Sequence, residues 1–420
     1  MGLHKFKTNK EERKLWFKNN KNKLIKIGTI TMSVIVLVLG VVLFTMAKYK
    51  NNMDFEMINT KVGEFQTTDV KVVAYNYDGE NHDVPPGKDD GYGAISVDCT
   101  NADGEWDHDD WGLNLRNITG KVKCDITFKQ GLFFVPYLKG LTGSDVVQDD
   151  GTTDKNMRFV GSSPNNYVNL ELSDGTTELF RVIGVFDSNS HGQNEYLVKL
   201  TKATIIGKYA WNNNNNNNWN VSNLNTSLNA STSKYAGSNY VQSVTWKTGA
   251  TSLTSVQANN GTLNLYNGER SNTTSTASPY ATTVSGKVGL PYASDFLLAT
   301  DGYNGVTPRS TCITNAAPNT SNNQYWGGNS STLKNCAKGS WLIITAKTLN
   351  SELWTMSAYA DNDNMAYYIK HYDSDGSINY TQVSGGIGNL PTVYLKPNVI
   401  CTNCSDTTAG TSTNPWTLSF

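Results

Sequence analysis

The feature that most constrains this chain of 420 residues is an uncharged apolar run over residues 27–47. At about 1.5 Å of rise per residue, a helix over this run is about 30 Å long, which matches the hydrocarbon thickness of a bilayer. Residues 1–26 carry nine lysines and arginines against two glutamates. Because basic residues collect on the cytoplasmic side of a membrane helix, this charge predicts a cytoplasmic N-terminus and an extracellular chain from about residue 50.

The sequence therefore predicts a single-pass protein of the cell membrane, with residues 1–26 as a basic cytoplasmic tail and residues 27–47 as the transmembrane helix that contacts the lipid bilayer. A cleaved signal peptide is the alternative, because Thr45 and Ala47 are small residues at the spacing of a cleavage site. The length of the basic segment and of the apolar run favours a retained anchor. A type IV pilin start fits less well, since the run lacks an early acidic residue.

Composition excludes two broad classes of protein. The formal net charge is −1, and the basic block precedes the apolar run. A nucleic-acid-binding protein needs a basic folded region, so we expect no nucleic-acid partner. The chain also has ten tryptophans, which argues against disorder along its whole length.

All the cysteines follow the apolar run, and their number is even, as in exported proteins with structural disulfides. A zinc site with four cysteines normally needs two CxxC-like pairs, and only residues 401–404 form one. A redox CxxC lies at a strand-to-helix turn, whereas this one lies in a tail rich in Thr, Asn and Gly. We therefore favour local disulfides over zinc or redox chemistry. The expected pairs are Cys99 with Cys124, Cys312 with Cys336, and Cys401 with Cys404.

Residues 54–129 are rich in acidic side chains and alternate between apolar and polar positions, which predicts a small all-β module of the sandwich type that serves as a stalk. The strand-like stretches are residues 70–77, 95–99, 105–106, 111–115 and 122–128. Residues 107–110 form an acidic hairpin tip between two of these stretches. A solvated turn explains this tip better than a metal site does.

Residues 130–155 are expected to be a linker that contains a short helix. A C-terminal domain then covers residues 156–420, and two apolar stretches at 177–186 and 195–200 predict its first hairpin. Residues 207–285 carry only five charged side chains, but they contain regularly spaced leucines and tryptophans. This pattern predicts an ordered insertion with short helices.

Several motifs of the C-terminal region occur in a specific order, at residues 157–168, 179–186, 206–211, 219–229, 289–295 and 392–399. Over about residues 155–420 they resemble an uncharacterised extracellular domain of membrane-anchored surface proteins of Gram-positive gut bacteria. Residues 353–357, with the hairpin and tail that follow, are similar to the C-type-lectin-like fold of bacterial adhesins and formylglycine-generating enzymes. The resemblance implies an α+β domain. Leu390 occupies the position at which relatives usually have arginine. Any function that depends on that arginine is therefore in doubt for this chain.

The resemblance to formylglycine-generating enzymes prompts a search for catalytic residues. Such an enzyme needs a reactive cysteine pair that binds copper, and Cys312 and Cys336 are the candidates in the matching half. Their surroundings are rich in Asn, Ser and Thr, which do not lower the pKa of a thiol. The sequence also contains no Gly-x-Ser-x-Gly elbow and no HExxH helix. We therefore expect no enzymatic activity and name no catalytic residue.

Two acidic clusters flank the strand predicted at residues 365–372, and carboxylates at this spacing suit calcium. The candidate ligands are Asp361, Asp363, Asp373 and Asp375. Ordinary hairpin turns explain both clusters without a metal, and we favour that interpretation. Calcium is therefore the one cofactor that the sequence suggests.

Aromatic side chains near this strand suggest a platform for sugar rings, whose C–H faces stack on aromatic surfaces. The candidates are Trp326, Trp354, Tyr367, Tyr368 and Tyr372. Core packing is the competing role for each tryptophan. Together with the predicted membrane topology, these aromatic residues favour an adhesion or ligand-binding protein that recognises an extracellular glycan or protein. A structural or assembly subunit of the cell envelope, or of a surface filament, is the alternative.

Overall fold

A computed structural model describes residues 18, 20, 72–88, 90–107, 110–257, 260–275, 280–303, 305–314, 331–370 and 377–420. Apart from residues 18 and 20, the predicted cytoplasmic tail lies outside these residues, and so does the whole predicted transmembrane helix. None of the helices within the described ranges combines the length and the apolar character that crossing a bilayer requires.

The chain divides into two compact units. Residues 98–124 belong to the first, and residues 73–97 and 125–420 form the second. The first six strands are β1 (Val72–Tyr77), β2 (Glu80–His82), β3 (Tyr92–Thr100), β4 (Asp103–Asp107), β5 (Gly112–Arg116) and β6 (Lys123–Gln130).

The first unit contains the hairpin of β4 and β5, which confirms the hairpin predicted there. Trp106 lies opposite Leu113 in the register, is buried, and contacts the ring of Trp111 edge-on at 5.6 Å between centroids. The disulfide between Cys99 and Cys124 joins the two ends of this unit's described segment. Two residues of the acidic hairpin tip, 108 and 109, lie outside the described residues.

The second unit begins with a four-stranded sheet in the order β2-β1-β6-β3. Its further strands are β7 (Leu132–Phe133), β8 (Val146–Val147), β9 (Met157–Phe159), β10 (Tyr167–Glu171), β11 (Thr177–Phe186), β12 (Leu197–Lys202), β13 (Lys208–Tyr209), β14 (Val244–Lys247), β15 (Ala250–Thr251), β16 (Thr283–Gly286), β17 (Val288–Gly289), β18 (Gly302–Tyr303), β19 (Thr307–Pro308), β20 (Leu353–Tyr359), β21 (Met365–Lys370), β22 (Ser377–Gln382), β23 (Ile387–Gly388), β24 (Thr392–Tyr394), β25 (Ile400–Cys401) and β26 (Trp416–Ser419).

Its described helices are short. They are α1 (Phe134–Lys139), α2 (Ser188–His191), α3 (Asn223–Leu228), α4 (Leu253–Gln257), α5 (Gly261–Glu269), α6 (Ala293–Leu298), α7 (Arg309–Thr314), α8 (Ser331–Lys338) and α9 (Trp341–Thr348), with a 3-10 turn at Trp219–Val221. The protein is therefore an α+β structure dominated by strands.

The largest sheet has the order β17-β24-β12-β11-β10-β26-β25-β7, and β9 joins β8 to β11. Strand β11 is buried from Phe180 onward, and apart from Arg181 this part of its sequence is apolar. Its register with β12 shifts between Val182 and Gly184. A side chain at Gly184 would lie 2.1 Å from the carbonyl oxygen of Met157, so only glycine fits this close approach of two strands.

A second sheet has the order β13-β23-β20-β21-β22, and β15 pairs in parallel with β20. Every residue of β20 is buried. Helices α6 and α9 pack against β21. The centre of this sheet is thus part of the core.

Residues 130–155, expected to be a linker with a short helix, do contain a helix, but they are packed into the second unit. Strand β7 pairs with β25, and Phe134 and Leu138 of α1 are fully buried. Strand β8 pairs with β9. The apolar residues near position 135 are therefore part of the core. In a free linker these side chains would not be buried.

The described part of residues 207–285, the predicted insertion, contains the short helices α3, α4 and α5. Leu224 and Leu228 of α3 are buried, and the side chain of Ser222 caps this helix by accepting from the backbone N–H of Asn225. The run of asparagines that precedes it also has a structural role. The Asn217 amide is buried and donates to three backbone carbonyl groups, including that of Tyr359 at 2.8 Å.

Candidate functional site

The aromatic residues predicted to stack on sugars are core residues wherever the structure describes them. Trp354 and Tyr367 have no exposed surface, and Tyr368 is 8% exposed. The Trp354 indole N–H donates to the carbonyl oxygen of Tyr209 at 3.0 Å. These three rings therefore offer no open face to a sugar, because the core covers them. Trp326 and Tyr372 lie outside the described residues.

The predicted calcium ligands are only partly described, since Asp373 and Asp375 fall outside the structure's ranges. Asp361 is exposed, and its Oδ2 accepts from the backbone N–H of Leu253 at 2.8 Å, at the first residue of α4. The Asp363 carbonyl oxygen accepts from the backbone N–H of Asn217. Within the described ranges, no group of three or more His, Cys, Asp or Glu side chains could hold a metal ion. Calcium binding stays a prediction.

The three predicted disulfides are confirmed: Cys99 bonds to Cys124, Cys312 to Cys336, and Cys401 to Cys404. Both sulfurs of the candidate copper pair are therefore in a disulfide, and both residues are fully buried. A sulfur in a disulfide is not a thiolate ligand.

The most unusual chemistry in the second unit is a buried ionic cluster. Arg158 of β9 donates from Nε to Asp150 Oδ2 at 2.6 Å and from Nη1 to Asp295 Oδ1 at 2.8 Å. Lys199 of β12 donates from Nζ to Asp295 Oδ2 at 2.6 Å. All four side chains are at most 1% exposed. Asp295 thus joins two strands of the large sheet to the first turn of α6.

Burial and ion pairing act in opposite directions on the acidic groups of this cluster. Burial by itself favours the neutral form of Asp295, but Lys199 and Arg158 outweigh it and hold the pKa of Asp295 well below its usual range. The pKa of Asp150 is lowered in the same way, because Arg158 overcomes the effect of burial. Both aspartates are therefore ionised, paired and closed off from solvent.

Glu269 forms a second buried centre at the end of α5. It accepts hydrogen bonds from the backbone N–H and the hydroxyl of Ser294 and from the hydroxyl of Ser357. Arg270 Nη1 lies 3.4 Å from its Oε2. Burial raises the pKa of Glu269 even though these partners oppose the shift. The bonds attach α5, which belongs to the insertion, to α6 and β20 of the core.

These ionic groups are not recognisable as a cluster from the sequence. Arg158 and Asp295 belong to two of the motifs that carry the resemblance, and Lys199 lies in a predicted apolar strand. The available signal was a lysine between Val198 and Leu200 in a strand that reads as buried. A charge at such a position needs a buried partner of opposite sign. The partner itself is 96 residues away in sequence, so the pair could not be assigned.

An open depression of about 540 Å³ lies in the insertion, between β15, α4 and α5. No charged side chain lines this depression. The exposed residues Thr254, Asn267 and Thr273 supply hydroxyl and amide groups to its surface. Helix α5 forms one wall of the depression and is held in place at two adjacent residues, Gly268 and Glu269. Gly268 packs against Thr251, where a side chain would lie 2.1 Å from the threonine hydroxyl oxygen, and the adjacent Glu269 is bonded to the core.

Comparison with protein-family models, with curated proteins and with solved structures finds no match for this chain.

Proposed function

We propose that this chain is an exported surface protein, anchored in the cell membrane by residues 27–47, whose C-terminal domain binds an extracellular glycan or protein. The three disulfides support export, because such bonds persist in oxidising compartments. The apolar run and the basic segment before it support the anchor and its orientation.

The observation that carries the binding proposal is the uncharged depression between α4 and α5. Its exposed hydroxyl and amide groups both donate and accept hydrogen bonds, which suits a neutral polar ligand. The anchored wall reduces the ordering that binding requires, and preorganised sites lose less affinity to entropy. The buried ionic cluster, by contrast, has no exposed group that a ligand could contact.

The test uses the full chain, purified in a detergent whose headgroup carries no sugar, on a glycan array and on a panel of immobilised extracellular glycoproteins. We expect at least one saturable ligand whose binding weakens in Thr254→Ala and in Asn267→Ala. The matched control is Asn214→Ala, which removes an exposed amide outside the depression. Absence of any retained ligand, or equal weakening in the control, would contradict the proposal.

A further inference from the structure

A second cavity, a groove of about 530 Å³, opens on the four-stranded sheet of the module that the sequence predicts to be a stalk. Strands β1, β3 and β6 and the turn after β1 line it. The residues that matter for its chemistry are Asn76, Tyr77, Asp78, Tyr92, Phe128 and Gln130. The groove differs from the depression in composition, because aromatic rings form part of its surface.

The two tyrosines are partly exposed, yet each ring is held by a neighbour. Tyr77 stacks on His82 with 3.7 Å between ring centroids and 14° between planes. The Tyr92 hydroxyl donates to Asp78 Oδ1 at 2.6 Å, and its ring meets Tyr77 edge-on at 5.5 Å. Rings fixed before a ligand arrives lose little rotamer freedom on binding.

Polar groups surround these rings. Asn76 and Gln130 bring amides, and Asp78 brings a carboxylate, so the groove contains both donors and acceptors. Asp78 and Lys129 carry opposite formal charges and leave the lining without a net charge. This balance favours a neutral ligand over an anion or a cation.

The ligand that fits this combination is a sugar ring. Its C–H face is apolar and stacks on a tyrosine, while its hydroxyl groups satisfy amide and carboxylate partners. The groove volume lies in the range of about 300–1,000 Å³ that small-molecule sites occupy, which accommodates one or two pyranose rings.

We propose that the groove formed by Tyr77, Tyr92 and Asp78 is a binding site for a neutral disaccharide. This site is separate from the depression of the C-terminal domain and does not depend on it. The module would then take part in recognition and would not act only as a spacer.

The experiment measures saturation-transfer NMR and affinity for the full chain, in the same sugar-free detergent, with maltose, cellobiose, lactose and N,N′-diacetylchitobiose as probes. We expect saturable binding of at least one probe, weakened about five- to tenfold by Tyr77→Ala and by Tyr92→Ala through loss of ring contacts. Tyr92→Phe keeps the ring and is expected to retain most of the affinity.

The matched control is Tyr196→Ala, which removes a tyrosine that is 48% exposed and lies outside the groove. Thr127→Arg fills the groove without removing a ring, so it tests the site even if a tyrosine variant does not fold. Lack of binding by all four probes overturns the proposal. Binding that persists in the groove variants but is lost in Asn267→Ala also overturns it and leaves the proposed function of the C-terminal domain intact.

Discussion

Tyrosines occupy opposite environments in two sheets of the second unit. Tyr367 and Tyr368 on β21 are buried, and α6 and α9 pack against their strand. Tyr77 and Tyr92 on β1 and β3 are partly exposed and line a groove. Tyrosine-containing strands are therefore buried in one sheet and accessible in the other. The elements that pack against each sheet determine whether its tyrosine rings are exposed.

The same contrast holds for charge. The large sheet contains Arg158 and Lys199, each paired inside the core, whereas the Lys234–Asp174 pair has its two side chains 34% and 42% exposed. Coulomb attraction is weak in water and strong where water is excluded. An ion pair in the core and an ion pair on the surface therefore affect the free energy of unfolding to different extents, although their formal charges are equal.

The largest expected effect follows from breaking the buried cluster. Asp295→Asn leaves Arg158 and Lys199 without their shared carboxylate, so we expect a loss of about 3–5 kcal/mol in the free energy of unfolding, measured by urea denaturation. The control Asp174→Asn breaks the exposed pair and should lower the free energy of unfolding far less. Equal losses in the two variants would contradict the contrast between buried and exposed charge.

The aromatic contrast has its own test. Truncating the fully buried ring in Tyr367→Ala should cost about 3–5 kcal/mol, because the surrounding core cannot refill the cavity completely. Tyr77→Ala removes a partly exposed ring and should cost about 1–2 kcal/mol. Urea denaturation of both variants compares them directly, and a larger loss for Tyr77→Ala would reverse our assignment of core and surface.

Disulfide loss should depend on the length of chain that each bond closes. Cys312 and Cys336 are 24 residues apart, so by loop entropy their bond contributes about 3.5 kcal/mol. Cys401 and Cys404 are three residues apart, and the same reasoning gives about 1.5 kcal/mol. Thermal unfolding of the two double-serine variants should rank them in that order, and the opposite order would count against an entropic origin.

The smallest effect is a dependence on pH. Because the folded pKa of Asp295 lies below its unfolded value of about 4, its stabilisation is present above pH 4 and is lost as pH falls toward the folded pKa. The stability difference between the native chain and Asp295→Asn should therefore narrow below pH 4. Urea midpoints between pH 6 and pH 3 measure it, and a constant difference would mean that the carboxylate is not ionised in the core.

The sequence predicts strands and disulfides better than it predicts which side chains are buried and which groups pair with them. Residues 177–186 form a strand with those bounds, and the three cysteine pairs are as expected, since both depend on local pattern and spacing. The exposure of Tyr367 and the partner of Lys199 depend on residues far away in sequence. Alternation along a strand does not say which face another element will cover.

The groove on the small sheet is not predictable from the sequence for a related reason. Strand β1 confirms the predicted strand over Val72–Tyr77, and residues 70 and 71 lie outside the described residues. The sequence pattern alone does not distinguish tyrosines that line a groove from tyrosines on a plain stalk. The accessibility of Tyr77 and Tyr92 follows from packing in the folded unit, and the hydrogen bond from Tyr92 to Asp78 joins residues 14 positions apart with strand β2 between them. Tyrosine at alternate positions beside an acidic turn was the only available signal.

Hydroxyl-radical footprinting of the full chain, read by mass spectrometry, tests the central contrast in a single sample because oxidation follows the exposure of each ring. We expect oxidation at Tyr77 and Tyr92, and protection at Trp354, Tyr367 and Tyr368. Equal oxidation of both groups, or protection of Tyr77 and Tyr92 alone, would contradict the assignment of accessible aromatic surface to the small sheet.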